Sequence, residues 1–120
     1  MGANGILRIT YLWTGTNSAN NKTMVLRLGG TSGTIFRQNT QTTSFTVEDT
    51  VQIANRNAQN SQVAFPELAG AIGFGSSGAA PKTGTIDTSA AQDIVIRGQL
   101  ANSGETITLA AYVVEILKKA

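Results

Sequence analysis

The stretch ILRITYLW, residues 6–13, decides the fold class because apolar side chains recur at every second position. One side of the stretch carries Leu7, Ile9, Tyr11 and Trp13, whereas the other side is mixed and includes an arginine. A period of two is the spacing of a β-strand with one buried face. The stretch therefore predicts a strand whose apolar face, including both aromatic side chains, packs into a core.

The same period recurs along the chain between runs of turn-forming residues. We predict further strands over 23–28, 34–37, 45–53, 63–65, 82–88, 93–100 and 105–117. About eight strands at intervals of roughly a dozen residues predict an all-β, antiparallel two-sheet sandwich, with a closed barrel as the main alternative. A turn or a single helical turn is expected over 66–71, and a long glycine-rich loop is expected over 70–80.

The clearest alternation in the chain lies in residues 45–53. Phe45, Val47, Val51 and Ile53 share one side, and Asp49 is the only polar residue among them. An acidic residue on an apolar face predicts either a bulge in the strand or the edge of the core.

The composition limits both the domain organisation and the chemistry. The chain has 120 residues and no shift in composition along its length, so we predict a single domain over 1–120. It contains neither cysteine nor histidine. Disulfides and thiolate metal sites are therefore excluded, and the side chain that most often serves as general base or metal ligand near neutral pH is missing.

Charge and hydropathy exclude further partners. Nine Lys and Arg residues and seven Asp and Glu residues are scattered along the chain. No basic stripe is visible, so we expect no nucleic-acid partner. The apolar stretches end within about eight residues, whereas a membrane-spanning helix needs about 20, so we expect no membrane partner. The opening residues lack the basic start and apolar core of a signal peptide, and we expect no export by the general secretory route.

The carboxylates were the remaining candidates for catalysis. A glycosidase needs two of them facing each other in a cleft. Glu48 and Asp49 are predicted on opposite faces of one strand, and Asp87 and Asp93 flank a turn, where Asp commonly stabilises turn geometry. We therefore predict no catalytic residue, no cofactor, no metal site and no enzymatic activity.

Two loops rich in amide side chains, residues 16–22 and 55–62, are candidate binding loops. Asn and Gln offer hydrogen-bond donors and acceptors without charge, which suits contacts to proteins or carbohydrates. The alternative is that these residues only close turns at the ends of the sandwich. The candidate binding residues are Asn17, Asn20, Asn21, Asn55, Arg56, Asn57, Gln59 and Asn60.

The last predicted strand, 105–117, becomes apolar on both faces toward its end. A strand of this kind needs a cover on its outer side, and contact with another subunit would provide it. The candidate interface residues are Tyr112, Val114 and Ile116. Tyr112 is expected to be an exposed aromatic side chain, because Thr108 and Ala110 are its predicted neighbours on the same face.

Three stretches of the chain resemble the small jelly-roll structural proteins of tailed bacteriophages. They are GILRITYLWTGTNSANNKTMVLRLGGT (5–31), VQIANRNAQNSQVA (51–64) and IRGQLANSGETITLAAYVVEIL (96–117). The resemblance implies a jelly roll that acts as a capsid decoration or cement protein. It further implies a homodimer or homotrimer bound to the major capsid protein on the outer surface of the virion, made in the host cytoplasm.

The alternative within this resemblance is a tail-fibre or tail-associated module that binds a receptor or a carbohydrate. Such modules usually follow an N-terminal attachment region, and the first predicted strand here begins by Ile6. That position favours the decoration type.

Overall fold

The fold is a β-sandwich, and the computed structural model describes residues 1–44, 46–66 and 78–118. Eight antiparallel strands form a five-stranded sheet of order β6-β5-β4-β1-β8 and a three-stranded sheet of order β3-β2-β7. The strands are β1 Ile6–Gly15, β2 Lys22–Leu28, β3 Thr34–Gln41, β4 Thr46–Asn55, β5 Gln62–Ala64, β6 Lys82–Gly84, β7 Ile94–Leu100 and β8 Ile107–Leu117. Within these ranges no helix is present, and none could therefore span a membrane.

The core lies between the two sheets and is built from the inward faces of their strands. The apolar face predicted for residues 6–13 is confirmed, because each of its four side chains is at most 5% exposed. The opposite sheet contributes the alternate residues of β2 and one aromatic residue of β3. The buried apolar residues are Leu7, Ile9, Tyr11, Trp13, Met24, Leu26, Leu28, Phe36, Val51, Ile53 and Ala64.

The predicted strand 82–88 is shorter than expected and ends at Gly84. Beyond it, the backbone of Ile86 pairs with a side chain instead of a strand. The Ile86 N–H donates to Gln62 Oε1 at 2.8 Å, and Gln62 Nε2 donates to the Ile86 carbonyl at 2.9 Å. A buried amide has the same donor and acceptor groups as a peptide, so it replaces a bridge of the sheet here.

No bulge occurs at Asp49, where β1 and β4 pair without a shift in register. Asp49 instead lies at the edge of the core and bridges the two sheets. Its Oδ2 lies 2.9 Å from Arg37 Nε on β3 and accepts a hydrogen bond from the Tyr11 hydroxyl at 3.3 Å. The bulges lie elsewhere, at Leu12/Trp13 against β8 and at Leu26/Arg27 against β3.

The bulge between β1 and β8 changes which residues of β8 face the core. Before it, Leu109 lies opposite Trp13; after it, Tyr112 lies opposite Tyr11 and Val114 lies opposite Ile9. Because directly opposite residues share a face, Tyr112 lies on the core side of the sheet. The predicted placement of Tyr112 with Thr108 and Ala110 is therefore wrong, since an unbroken alternation does not allow for the extra residue.

Some predictions fall on parts of the chain that the structure does not describe. These are the placement of Phe45, the helical turn over 66–71 except Pro66, and the long loop over 70–80 except its last three residues.

Candidate interaction surfaces

β8 lies at the edge of the five-stranded sheet. It pairs with β1 along one side, from Ile6 opposite Leu117 to Gly15 opposite Ile107. In the described part of the chain no strand pairs with its other side. The outward N–H and C=O groups of an edge strand are a template for pairing with another chain.

The second half of β8 exposes large apolar side chains on both of its faces. On the core side Tyr112 is 63% exposed, Val114 42% and Ile116 55%. On the other side Val113 is 56% exposed, and Leu117 is also exposed. Single exposed apolar residues are common on protein surfaces, whereas a contiguous run on an edge strand is a candidate contact surface. We call residues 112–117 the β8 surface.

An apolar groove continues the β8 surface on the core side. It has a volume of about 200 Å³ and lies between Ile116 and the start of β7. Its walls are mostly aliphatic: Met1, Leu7, Leu28, Thr88, Ala90, Ala91, Gln92, Ile94 and Ile116. Ile116 therefore belongs both to the β8 surface and to the wall of the groove.

Charge on the β8 surface is sparse. Glu115 is the one acidic residue between Tyr112 and Leu117, and its Oε2 lies 3.7 Å from Arg8 Nη1 on β1. Both side chains are well exposed, so water and salt weaken their attraction. A surface of this kind can take part in an apolar protein contact with strand hydrogen bonds at its edge.

Loop 16–22 is held by a buried lysine that the sequence analysis did not single out. Lys22 is 3% exposed, and its ammonium donates to Ser18 Oγ at 3.0 Å, the Asn20 carbonyl at 2.8 Å and Glu105 Oε2 at 3.3 Å. Asn20 Nδ2 also donates to Glu105 Oε1 at 2.6 Å. The signal was present in the sequence, because the period of two places Lys22 on the same face as Met24.

These contacts set the ionisation of Glu105. Hydrogen bonds from Asn20 and then from Ser18 hold the pKa of Glu105 below its ordinary value, and the Lys22 ammonium acts in the same direction. Asn20, Lys22 and Glu105 thus hold loop 16–22 against the turn before β8. We call this set of contacts the Lys22–Glu105 clip. Asn17 and Asn21 expose their side chains beside this clip.

The first residue of loop 55–62 is Asn55, and its side-chain amide is buried. Asn55 is buried, and its Nδ2 donates to the Gly2 carbonyl and to Thr88 Oγ1, both at 2.8 Å. Its Oδ1 accepts from Gln62 Nε2 at 2.8 Å. Asn55 therefore joins the N-terminal segment to the loop before β7, and its side chain does not form part of the surface.

The other candidates of this loop are exposed. Asn57 adopts a positive φ of 56°, a conformation that Asn tolerates, and its N–H donates to Asn4 Oδ1 at 3.1 Å. Gln59 Nε2 donates to the Met1 carbonyl at 3.1 Å. Arg56 and Asn60 expose their side chains at the same end of the sandwich.

The structure does not bring the two amide-rich loops together. Loop 16–22 follows the end of β1, where Thr16 N–H bonds to the Thr106 carbonyl. Loop 55–62 lies at the start of β1, where Asn55 N–H bonds to the Gly5 carbonyl. The loops thus lie at opposite ends of the sandwich, and they cannot form one binding site.

A third surface is the outer face of the three-stranded sheet. A groove of about 550 Å³ crosses it and is lined by Thr23, Val25, Arg27, Ile35, Gln38, Arg97, Gly98 and Gln99. The Arg27 guanidinium is oriented by a hydrogen bond from Nη1 to the Gly33 carbonyl at 2.7 Å. Hydroxyl, amide and guanidinium groups on a shallow face can hydrogen-bond a polar ligand.

Two titratable groups with shifted pKa values, Tyr11 and Asp87, are both engaged in structural contacts. Burial and then the Asp49 carboxylate raise the pKa of Tyr11 well above its ordinary value, so its hydroxyl stays protonated. Asp87 accepts hydrogen bonds from the side chain and the backbone N–H of Ser89, as Asp commonly does in a turn, and these bonds lower the pKa of its carboxyl group. Among the described residues, no group of three or more Asp, Glu, His or Cys is placed to hold a metal ion.

No family model, no curated protein and no solved structure matches this chain.

Proposed function

We propose that this protein is a structural component of a bacteriophage particle, a capsid decoration or cement protein that binds and stabilises the shell. The observation that carries the proposal is the β8 surface, an apolar strand exposed on both faces with an open edge. Such a strand gives adhesion through buried apolar area and added strand hydrogen bonds. The protein acts by contact and has no enzymatic activity.

The partners in this proposal are further copies of the chain and the major capsid protein. A ligand that binds the assembled shell and not its dissociated subunits stabilises the shell by mass action. The site of action is the outer capsid surface, and synthesis takes place in the host cytoplasm. Neither nucleic acid nor a membrane is a partner.

We propose further that the sandwich is a jelly roll, in which a ribbon of paired strands is rolled round the core. The pairings β1–β8, β2–β7 and β4–β5 support this, because they join strands that a rolled ribbon of eight strands places side by side. In the described residues β3 pairs with β2, β4 pairs with β1 and β5 pairs with β6, so the roll departs from the regular pattern at these strands.

The test is binding to purified phage heads that lack their decoration protein, with heat resistance of the heads as the readout. We expect the protein to bind such heads and to raise the temperature at which they rupture. Val114→Asp places a charge on the β8 surface and should abolish both effects. Gln52→Asp adds the same charge at an exposed position of β4 in the same sheet and should retain both. Binding to host cells instead of heads would overturn the proposal.

The alternative is a tail-fibre or tail-associated module that binds a carbohydrate receptor. The groove on the outer face of the three-stranded sheet favours it, since Gln38 on β3 and Arg97 and Gln99 on β7 all line it and offer hydrogen-bond donors. In that case a glycan array should give a ligand whose binding Arg97→Ala removes, whereas Val114→Asp leaves it unchanged.

A further inference from the structure

We propose that two copies of the chain join edge to edge through β8, antiparallel about a twofold axis that passes through Val114. The two five-stranded sheets then become one continuous sheet. The inference rests on the self-association included in the proposed function, and it adds the partner strand, the register and the symmetry.

The register follows from the regular part of the strand. After the bulge, β8 runs without interruption from Ala111 to Leu117, and Val114 is the central residue of this stretch. In an antiparallel pair centred there, Val114 meets Val114 of the second copy and Tyr112 meets Ile116. Directly opposite residues share a face, so the exposed core-side residues of both copies form one apolar stripe.

The distribution of charge agrees with this register. Glu115 lies opposite the apolar Val113 of the second copy and keeps its contact with Arg8 of its own chain. An axis one residue further along, through Glu115, would place two carboxylates directly opposite each other, which destabilises a strand pair. An axis through Val113 would place Ile116 opposite Ala110, the extra residue at the bulge, and so would extend the pair beyond the regular part of β8.

The groove beside Ile116 supplies a complementary shape. In the proposed register Tyr112 of the second copy lies next to Ile116, which lines the groove together with Leu28 and Ile94. With a volume of about 200 Å³, the groove offers an apolar wall for an aromatic ring that is 63% exposed in the single chain. The twofold axis repeats this contact, so two rings are covered.

The symmetry has a consequence for the assembly. A contact in which one strand meets its own copy is isologous and closes after two subunits. It therefore selects a dimer and not a trimer. It also removes the exposed edge of β8, which would otherwise remain open to uncontrolled pairing.

The test uses single cysteines, because the chain contains none. A disulfide needs Cα atoms about 4.4–6.8 Å apart. The Cα atoms of Val114 in the two copies meet this limit, because Val114 lies on the axis. The two Val113 residues are diagonal neighbours, about 7–8 Å apart. We expect mildly oxidised Val114→Cys to form at least about tenfold more disulfide-linked dimer than Val113→Cys or the remote Gln52→Cys on a non-reducing gel.

Sedimentation of the unmodified chain gives the second measurement, with a dimer as the expected mass. A trimer would overturn the inference, as would disulfide formation that is equal in the three variants or fastest in Val113→Cys. If the chain sediments as a monomer but still protects phage heads, the inference fails and the proposed function stands. If it forms the cross-linked dimer but does not bind phage heads, the proposed function fails and the inference of a dimer stands.

Discussion

β1 and β8 are neighbours in one sheet and pair along their length, yet they differ in what covers them. The four core-side apolar residues of β1 are at most 5% exposed, whereas Tyr112, Val114 and Ile116 opposite them are 42–63% exposed. β1 lies between β4 and β8, while β8 lies at the edge of its sheet. Strands of similar apolar character thus end up buried in the core in one place and exposed at an edge in the other.

The largest expected effect comes from truncating one residue of each strand. Ile9 is fully buried, so Ile9→Ala should lower the free energy of unfolding by about 2–5 kcal/mol through lost burial and a cavity. Val114→Ala, in the paired position, should lower it by less than about 1 kcal/mol in the monomer. Urea unfolding at low protein concentration measures both. Equal losses would mean that the two strands are covered alike.

A second prediction concerns the start of β8, which the Lys22–Glu105 clip holds. The pKa of Glu105 is lowered in the folded chain, so its stabilising contribution is present above the ordinary pKa of 4.5 and is lost as the pH falls through the folded value. Glu105→Gln should therefore be less stable than the parent at pH 7, and the two unfolding curves should converge in acid.

The measurement is the midpoint of urea unfolding across a series of pH values. Asp87 contributes equally in both proteins, so the difference between them reports Glu105 alone. Glu115→Gln, which lies on β8 itself, is the matched control, because its side chain is 46% exposed. A difference between parent and Glu105→Gln that does not change with pH would argue against the clip.

The smallest effect is expected for the Arg8–Glu115 pair, which joins the outer faces of the two strands at 3.7 Å. Exposed pairs of this kind contribute about 0–1 kcal/mol. A double-mutant cycle with Arg8→Ala and Glu115→Ala should give a coupling energy in that range, and 1 M salt should reduce it further. A coupling above about 2 kcal/mol would show that the β8 surface is better shielded than its exposure indicates.

Much of the fold was predictable from local pattern. The alternation in residues 6–13 and 45–53 depends only on which side chains prefer water, and it placed Ile9 and Ile53 correctly in the core. The shortened strand at Gly84 was not predictable, because Gln62, more than 20 positions earlier, replaces the partner strand of Ile86. The alternation of polar and apolar residues along one strand carries no information about such a distant side chain.

The candidate surfaces were also predictable from the sequence only in part. The exposure of Tyr112, Val114 and Ile116 agrees with their prediction as interface residues, although the role itself stays a prediction. The burial of Asn55 was not anticipated, since an amide in an amide-rich loop gives no sign of the donors and acceptors that will surround it.

The sequence by itself determined that the chain forms an all-β sandwich, because side-chain polarity and turn chemistry act locally along each strand. Only the tertiary structure decided that β8 lies at an edge, that a bulge turns Tyr112 to the core side, and that Lys22 and Glu105 meet. Each of these depends on residues far apart in the chain, and a contact between them exists only once the two sheets have packed.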